Sequence, residues 1–115
     1  MTTRRAGKLV VLDLDHPDVR PRRQIARAVE DFITGTPQPE LVAWYAAYDH
    51  VALAQLWGSM SDLPAGVPMW TNDLRQEAHR LGFSDDDVPQ QTAGQHNALA
   101  DARHNKVIAE WLATR

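Results

Sequence analysis

Two short segments of the sequence carry residues whose types and spacing could do chemistry together. In one, Asp49 ends an apolar run, and in the other His96 precedes Asp101 with four residues between them. Carboxylate oxygens are hard ligands that suit Mg²⁺ or Mn²⁺ better than zinc. Histidine is the side chain best suited to take a proton from water near neutral pH. The pattern predicts phosphodiester hydrolysis with two divalent cations roughly 3.5–4 Å apart, Asp49 and Asp101 as ligands, and His96 as general base.

Each of these carboxylates also has a plainer interpretation. Asp49 can cap the N-terminus of a helix, and taken alone this is the more frequent role of such a residue. Asp101 can be an exposed helical residue paired with Arg103 or His104. The position of His96 beside Asp101 favours the functional interpretation of the pair.

Three further residues are candidates for contact with a nucleic-acid substrate. Trp70 follows Pro68 in a predicted loop, where an indole can stack on a nucleobase, although packing is its commoner role. Arg75 and Arg103 can contact phosphate, and a solvated surface charge is the alternative for both.

Periodicity and turn residues predict the elements that must position these groups. They are a strand at 9–12, a helix at 21–33, a strand buried on both faces at 41–48, a helix from Asp49 to Gly58, a loop at 59–70, a helix at 71–81, a polar flexible stretch at 83–95 and a helix at 97–113. The inner stripe predicted for the last helix is Ala98, Ala102, Asn105, Ala109 and Leu112. Alternating strands and helices predict an α/β fold.

Length and composition narrow the class of protein. The chain has 115 residues, enough for one small domain, and no cysteine, which excludes disulfides and thiolate zinc sites. Its net charge of −3 argues against passive coating of nucleic acid, but not against a nuclease whose carboxylates hold cations. We find neither a signal peptide nor a membrane-length apolar run, so the sequence predicts a cytoplasmic protein that does not enter a membrane.

The two chemical segments and their surroundings resemble a known family. His96-x4-Asp101 resembles the third motif of the DEDDh 3′–5′ exonucleases, and Tyr48-Asp49 resembles their second. The wider pattern is similar to the polyadenylate-specific 3′-exoribonucleases called RNase AS. The segments that carry the likeness are Arg22–Ile25, Glu40–Trp44, Ala47–Gly58, Pro68, Thr71, Leu74–Gln76 and His96–Arg103.

The resemblance implies an RNase H-like fold, a mixed sheet flanked by helices. It also implies removal of nucleotides from single-stranded RNA 3′ ends, a preference for adenylates, two Mg²⁺ or Mn²⁺ ions per site, and a homodimer. By resemblance, Asp49 and Asp101 bind metal and His96 is the general base.

The chain departs from the family pattern near its N-terminus. Asp-x-Glu, which opens the family's first strand, does not occur upstream of Asp49, and the nearest substitute is Asp13-Leu14-Asp15. We therefore expect residues 1–115 to form a single, N-terminally truncated exonuclease-like domain, with 1–8 disordered. Two explanations are open: the chain is a truncation, or it pairs with another copy to complete its sheet. The alternative function is a catalytically incomplete relative that binds RNA ends or a partner.

Overall fold

The computed structural model describes residues 2–5 and 8–11 as backbone and residues 13–115 in full. Strand β1, Thr2–Arg5, pairs antiparallel with β2, Lys8–Val11. The predicted strand at 9–12 overlaps β2, and its last residue, Leu12, lies outside the described residues. The sequence predicts disorder for residues 1–8. Residues 2–5 and Lys8 lie instead in the paired strands β1 and β2. Positions 1, 6 and 7 lie outside the described residues.

Helix α1, Arg22–Thr34, confirms the predicted helix at 21–33 to within a residue at each end. Its apolar residues recur at helical spacing, which produces a strongly amphipathic helix. Only part of that stripe is covered: Ala26 and Ile33 are buried, whereas Phe32 is 84% exposed. Gly35 follows the last turn and its N–H donates to the Asp31 carbonyl at 3.0 Å.

The predicted strand at 41–48 is wrong over most of its length. Strand β3 is Val42–Ala43 alone, and it pairs in parallel with β4, Asn72–Asp73. Tyr45 adopts a left-handed backbone, with φ of 59°, and the chain turns there into helix α2, Ala46–Ala54. A continuous apolar run does not distinguish a buried strand from a helix, and the two alanines after Tyr45 favour the helix.

Helices α3, Leu74–Arg80, and α4, Ala98–Ala113, complete the regular structure, with a short 3₁₀ turn at Met60–Asp62 between α2 and β4. The helix predicted to begin after Asp49 begins three residues earlier, so Asp49 lies within its first turn rather than at its cap. The predicted helix at 71–81 is shortened at its start because the Asp73 side chain caps α3 by accepting from the N–H groups of Arg75 and Gln76.

The core lies between α3, α4 and the loop that joins them. Its buried members are Leu74, Ala78, Val88, Ile108 and Leu112. The predicted inner stripe of α4 is wrong in its first half, because Ala98 and Ala102 are exposed. There the helix runs past the core, so polar residues face inward over a cleft instead.

The parallel pair of β3 and β4 together with the four α-helices that the structure describes agrees with the predicted α/β fold class. The RNase H-like arrangement stays a prediction. Within the described part of the chain, every helix is too short or too polar to cross a membrane.

Candidate active site

A cleft of about 540 Å³ brings together the three residues that the sequence predicts to do chemistry. Asp49, His96 and Asp101 all line it. The rest of its wall comes from Trp44, Tyr45, Asp85, Val88, Pro89, Gln90, Gln91, Gln95, His104, Asn105 and Ile108. Its volume falls within the roughly 300–1,000 Å³ of typical small-molecule sites.

Asp49 reaches the cleft from the first turn of α2. Its side chain is exposed, so it is free to meet solvent or a ligand. The N-terminal end of a helix carries a partial positive charge, which favours a carboxylate at this place. The left-handed turn at Tyr45 sets the direction of the helix, and therefore of Asp49.

Asp101 is half-buried and one of its oxygens is fixed by a neighbour. The Gln91 side-chain amide donates to Asp101 Oδ1 at 3.0 Å and to the Ala93 carbonyl at 3.0 Å. The Asp101 N–H donates to the Asn97 carbonyl at 2.8 Å, which sets the carboxylate in the first turn of α4. Asp101 is therefore held in one orientation toward the cleft.

His96 lies on the turn that precedes α4 and has a left-handed backbone, with φ of 68°. A non-glycine residue in this conformation costs on the order of 1–3 kcal/mol and is enriched at functional sites. The turn is closed by the Asn97 N–H, which donates to the Gly94 carbonyl at 2.9 Å, and the Asn97 side chain caps the helix by accepting from Ala100 N–H at 3.0 Å. Gly94 itself has φ of 75°, and a Cβ there would come within 2.8 Å of the Ala100 Cβ.

The stretch at 83–95, predicted to be flexible, is ordered by side-chain amides that donate to its own carbonyls. Gln90 donates to the carbonyls of Asp85 and Val88, and Gln95 donates to that of Gln91. His104 of α4 bonds to the Pro89 carbonyl at 2.8 Å. Sequence reasoning gave these glutamines no role, although three of them within six residues was the available signal.

Arg75 is bonded to Asp85, a residue of the cleft wall that also bonds to His79. Its Nε donates to Asp85 Oδ1 at 3.0 Å, and His79 Nε2 donates to the same oxygen at 2.8 Å. The hydrogen bond from His79, followed by that from Arg75, holds the pKa of the Asp85 carboxyl below its usual value. The Arg75 guanidinium carbon also lies 5.2 Å from the centre of the Tyr45 ring.

The remaining candidates lie outside this cleft, as far as the described residues define it. Trp70 is exposed and lines a separate groove with His50, Met60 and Met69. Arg103 is exposed on α4. Asp13 and Asp15 share an exposed turn before α1, where the Asp15 N–H donates to Asp13 Oδ1 at 3.0 Å.

The oxygen and nitrogen ligands in the cleft are of the types that bind a divalent cation. The described residues, however, supply too few carboxylates to hold two cations. Among the described residues, no three carboxylate or imidazole side chains lie close enough together to hold a metal ion. Mg²⁺ is usually bound by one or two carboxylates together with substrate phosphates, and Asp49 and Asp101 are carboxylates of this kind in the cleft. A cation pair would require carboxylates beyond those described.

A cleft lined by two aspartates and a histidine at helix starts is the site of a candidate hydrolase, and comparison with known proteins identifies its class. The model of the family described as the 3′–5′ exoribonuclease Rv2179c-like domain matches residues 7–113, so the chain belongs to that family. This confirms the predicted 3′–5′ exoribonuclease family. The DEDDh type and the likeness to RNase AS stay predictions.

Two curated relatives from Mycobacterium tuberculosis are similar to this chain. They are the 3′–5′ exoribonuclease Rv2179c of strain ATCC 25618 / H37Rv and the 3′–5′ exoribonuclease MT2234.1 of strain CDC 1551 / Oshkosh. Each is 48% identical over 86 residues, which is 73% of this chain and 50% of the relative. The chain thus spans about half the length of the curated relatives that it matches.

Proposed function

We propose that this protein hydrolyses phosphodiesters at the 3′ end of single-stranded RNA in the cleft of Asp49, His96 and Asp101. The observation that carries the proposal is that all three residues line one cleft, although Asp49 and the segment of His96 and Asp101 lie far apart in the chain. Membership of a 3′–5′ exoribonuclease family supports the direction and the substrate class. The preference for adenylates rests on the resemblance to RNase AS.

In this proposal His96 accepts a proton from a water molecule in the cleft. The water oxygen bonds to the phosphorus of the last phosphodiester, and the bond to the 3′-oxygen of the preceding nucleotide breaks. That oxygen takes its proton from solvent. The exposure of His96 allows the exchange of protons with solvent that each further turnover requires.

Asp49 and Asp101 serve in the proposal as oxygen ligands for Mg²⁺ or Mn²⁺. A bound cation would supply charge neutralisation at the scissile phosphate. The cation pair implied by the resemblance needs further carboxylates, and no step is assigned to it here. Gln91 keeps Asp101 oriented, which lowers the cost of organising the site when a cation and an RNA end arrive.

The test is digestion of 5′-labelled, single-stranded oligoadenylate in Mn²⁺, with the full chain compared with His96→Gln and Asp101→Asn. We expect stepwise shortening from the 3′ end, abolished by EDTA. Loss of a general base lowers a rate by about 10²- to 10⁴-fold, so His96→Gln should fall by that amount. The matched controls are His16→Gln and Asp31→Asn, at exposed positions away from the cleft, and both should retain full activity.

Absence of shortening by a folded sample, or equal shortening by His96→Gln and His16→Gln, would contradict the proposal. Oligouridylate and the matching DNA, run beside oligoadenylate, measure base and sugar preference in the same assay. Light scattering of the same sample tests the homodimer that the resemblance implies.

A second candidate function is an RNA-end or partner-binding module that does not cleave. It is favoured by the absence, among the described residues, of three metal-binding side chains in one cluster. Retention of oligoadenylate on the chain in both EDTA and Mn²⁺, without any shortening, would select this function over hydrolysis.

A further inference from the structure

Tyr45 combines three features that single it out among the residues of the cleft wall. It lines the cleft together with Asp49 and His96, and the residue is half exposed. Its backbone is left-handed, with φ of 59°, a conformation uncommon for a bulky side chain. The surrounding structure must therefore hold Tyr45 in place.

The backbone of this turn is fixed from β4. The N–H of Ala46, a residue only 2% exposed, donates to Asp73 Oδ2 at 3.1 Å. Asp73 Oδ1 in turn accepts from the N–H groups at the start of α3. One carboxylate thus joins the first residue of α2 to the start of α3, and Tyr45 lies at that junction.

The ring of Tyr45 is supported by charged and aromatic neighbours. The Arg75 guanidinium lies over the ring, and the Trp44 ring meets it edge-on, with centroids 6.4 Å apart and planes at 78°. Asp85, bonded to both Arg75 and His79, keeps the guanidinium there. Tyr45 nevertheless stays half exposed and lines the cleft, so part of its surface is accessible to a ligand there.

We propose that Tyr45 is the stacking platform for the unpaired nucleobase at the RNA 3′ end, with Arg75 as the positioning residue behind it. The inference rests on the proposed function, because it requires an RNA end in the cleft. A planar base would form a layered stack with the phenol ring and the guanidinium, and bases stack readily on aromatic side chains whatever their sequence. Trp70, the aromatic residue that the sequence indicates for this role, lines a different groove.

Stacking of this kind favours purines over pyrimidines because a two-ring base covers more of the phenol face. It does not distinguish adenine from guanine, which share that area. Tyr45 would therefore contribute the preference for purines over pyrimidines. Discrimination of adenine from guanine would depend on polar groups of the cleft.

The test measures binding of an oligoadenylate whose 3′-terminal base is 2-aminopurine, in EDTA so that no cleavage occurs. Stacking on the ring should quench the fluorescence of the probe. Tyr45→Phe should keep both quenching and affinity. Tyr45→Asn should lose the quenching and bind about 5- to 150-fold more weakly, the range that corresponds to one stacked base. Asparagine is chosen because it tolerates the left-handed backbone better than other non-glycine residues.

The matched control is Tyr48→Asn, which changes a tyrosine of α2 that is 80% exposed and does not line this cleft. It should bind and quench like the unmodified chain. Arg75→Gln should weaken the quenching less than Tyr45→Asn does. With a probe that has an abasic 3′ terminus, the unmodified chain and Tyr45→Asn should bind equally.

Two failures are distinguishable. If the unmodified chain binds no RNA, the proposed function fails and the platform with it. If the unmodified chain binds and Tyr45→Asn, with an unchanged melting temperature, retains its affinity and quenching, the platform alone is overturned. Loss of quenching in Trp70→Leu but not in Tyr45→Asn would move the stacking role to the other groove. Should Tyr45→Asn melt early, Tyr45→Phe and the non-aromatic Tyr45→Leu are compared instead. Quenching kept in Tyr45→Phe and lost in Tyr45→Leu supports the platform, and equal quenching in both overturns it.

Discussion

Helix α1 and residues 41–113, here called the body, both have apolar residues at helical spacing, but the two regions differ in how many of those residues are buried. In the body, two apolar residues of α3 and two of α4 are buried against each other and against Val88; they are Leu74, Ala78, Ile108 and Leu112. In α1, an equally regular stripe leaves Phe32 84% exposed and Ile25 39% exposed. Periodicity makes the helix in both regions, but the site forms only in the region where packing fixes the helices relative to one another.

Their polar contacts differ in the same way. Those of α1 are local, for example Arg27 to Asp31 at 3.3 Å and Thr34 to the Glu30 carbonyl at 2.8 Å. The body has local pairs too, such as Arg80 with Glu77, but it also has bonds that join distant segments, as between Ala46 and Asp73 and between Arg75 and Asp85. A local pair stabilises a helix slightly, whereas a long-range bond fixes the geometry of a site.

The largest expected difference between the two regions concerns apolar side chains. Leu112→Ala should lower the free energy of unfolding by about 2–5 kcal/mol, because it leaves a cavity in the core. Phe32→Ala should change it by less than about 0.5 kcal/mol, because the ring is mostly exposed. Urea denaturation of both variants checks this. A large loss in Phe32→Ala would mean that α1 is packed in solution, and the distinction between the regions would fail.

The next effect concerns carboxylates. Asp73→Ala should cost about 1–3 kcal/mol, because it removes the cap of α3 and leaves the buried Ala46 N–H without an acceptor. Asp31→Ala removes an exposed ion pair on α1 and should cost no more than about 0.5 kcal/mol. The same denaturation experiment measures both, and equal losses would contradict the assignment of long-range bonds to the body.

A smaller effect is expected at the start of α4. Asn97→Ala should cost about 1 kcal/mol through loss of the side-chain cap, and Asn97→Asp should restore most of it. Helix α1 has Pro21 at its N-cap, where no side chain caps the helix, so it offers no equivalent loss. Thermal melting followed by circular dichroism compares the two variants. If the aspartate variant were no more stable than the alanine variant, the capping role of residue 97 would be excluded.

The smallest effect is a dependence on pH. The pKa of Asp85 is lowered by the hydrogen bond from His79 and then by Arg75, so the folded state binds its proton less readily than the unfolded state. The stabilisation is complete above the unfolded-state pKa of about 3.9 and is lost as pH falls through the lower pKa of the folded state. The difference in unfolding free energy between the unmodified chain and Asp85→Asn should therefore shrink over that window. A difference that stayed constant from neutral pH to the most acid condition would exclude the lowered pKa.

Features that depend on interactions between neighbouring residues could be predicted from the sequence, whereas features that depend on tertiary contacts could not. Helices α1 and α4 were predicted to within a residue or two because periodicity and caps are local signals. The convergence of Asp49, His96 and Asp101 on one cleft agrees with the interpretation of the two motifs, although their chemical roles stay predictions.

The errors lie where tertiary contacts override local preference. No residue type in the apolar run at 41–48 indicates a turn at Tyr45. The turn depends on Asp73, which lies 27 positions after Ala46 and accepts a hydrogen bond from its N–H. The contact of Arg75 with phosphate stays a prediction, whereas its partners in the fold, Asp85 and Tyr45, are visible only after folding. Gln91 was missed because a glutamine carries no signal until its carboxylate partner is known.

Gly94 gives the candidate site an unusual kind of vulnerability. It touches no substrate in the proposed mechanism, yet any side chain there would collide with Ala100, in the turn of α4 that also carries Asp101. Relief of the collision would move the helix start or the turn that carries His96, so one added methyl group would shift the proposed base and a proposed ligand relative to each other. The proposed chemistry can therefore be disabled without changing any residue that performs it, by a substitution that a comparison of active-site residues alone would overlook.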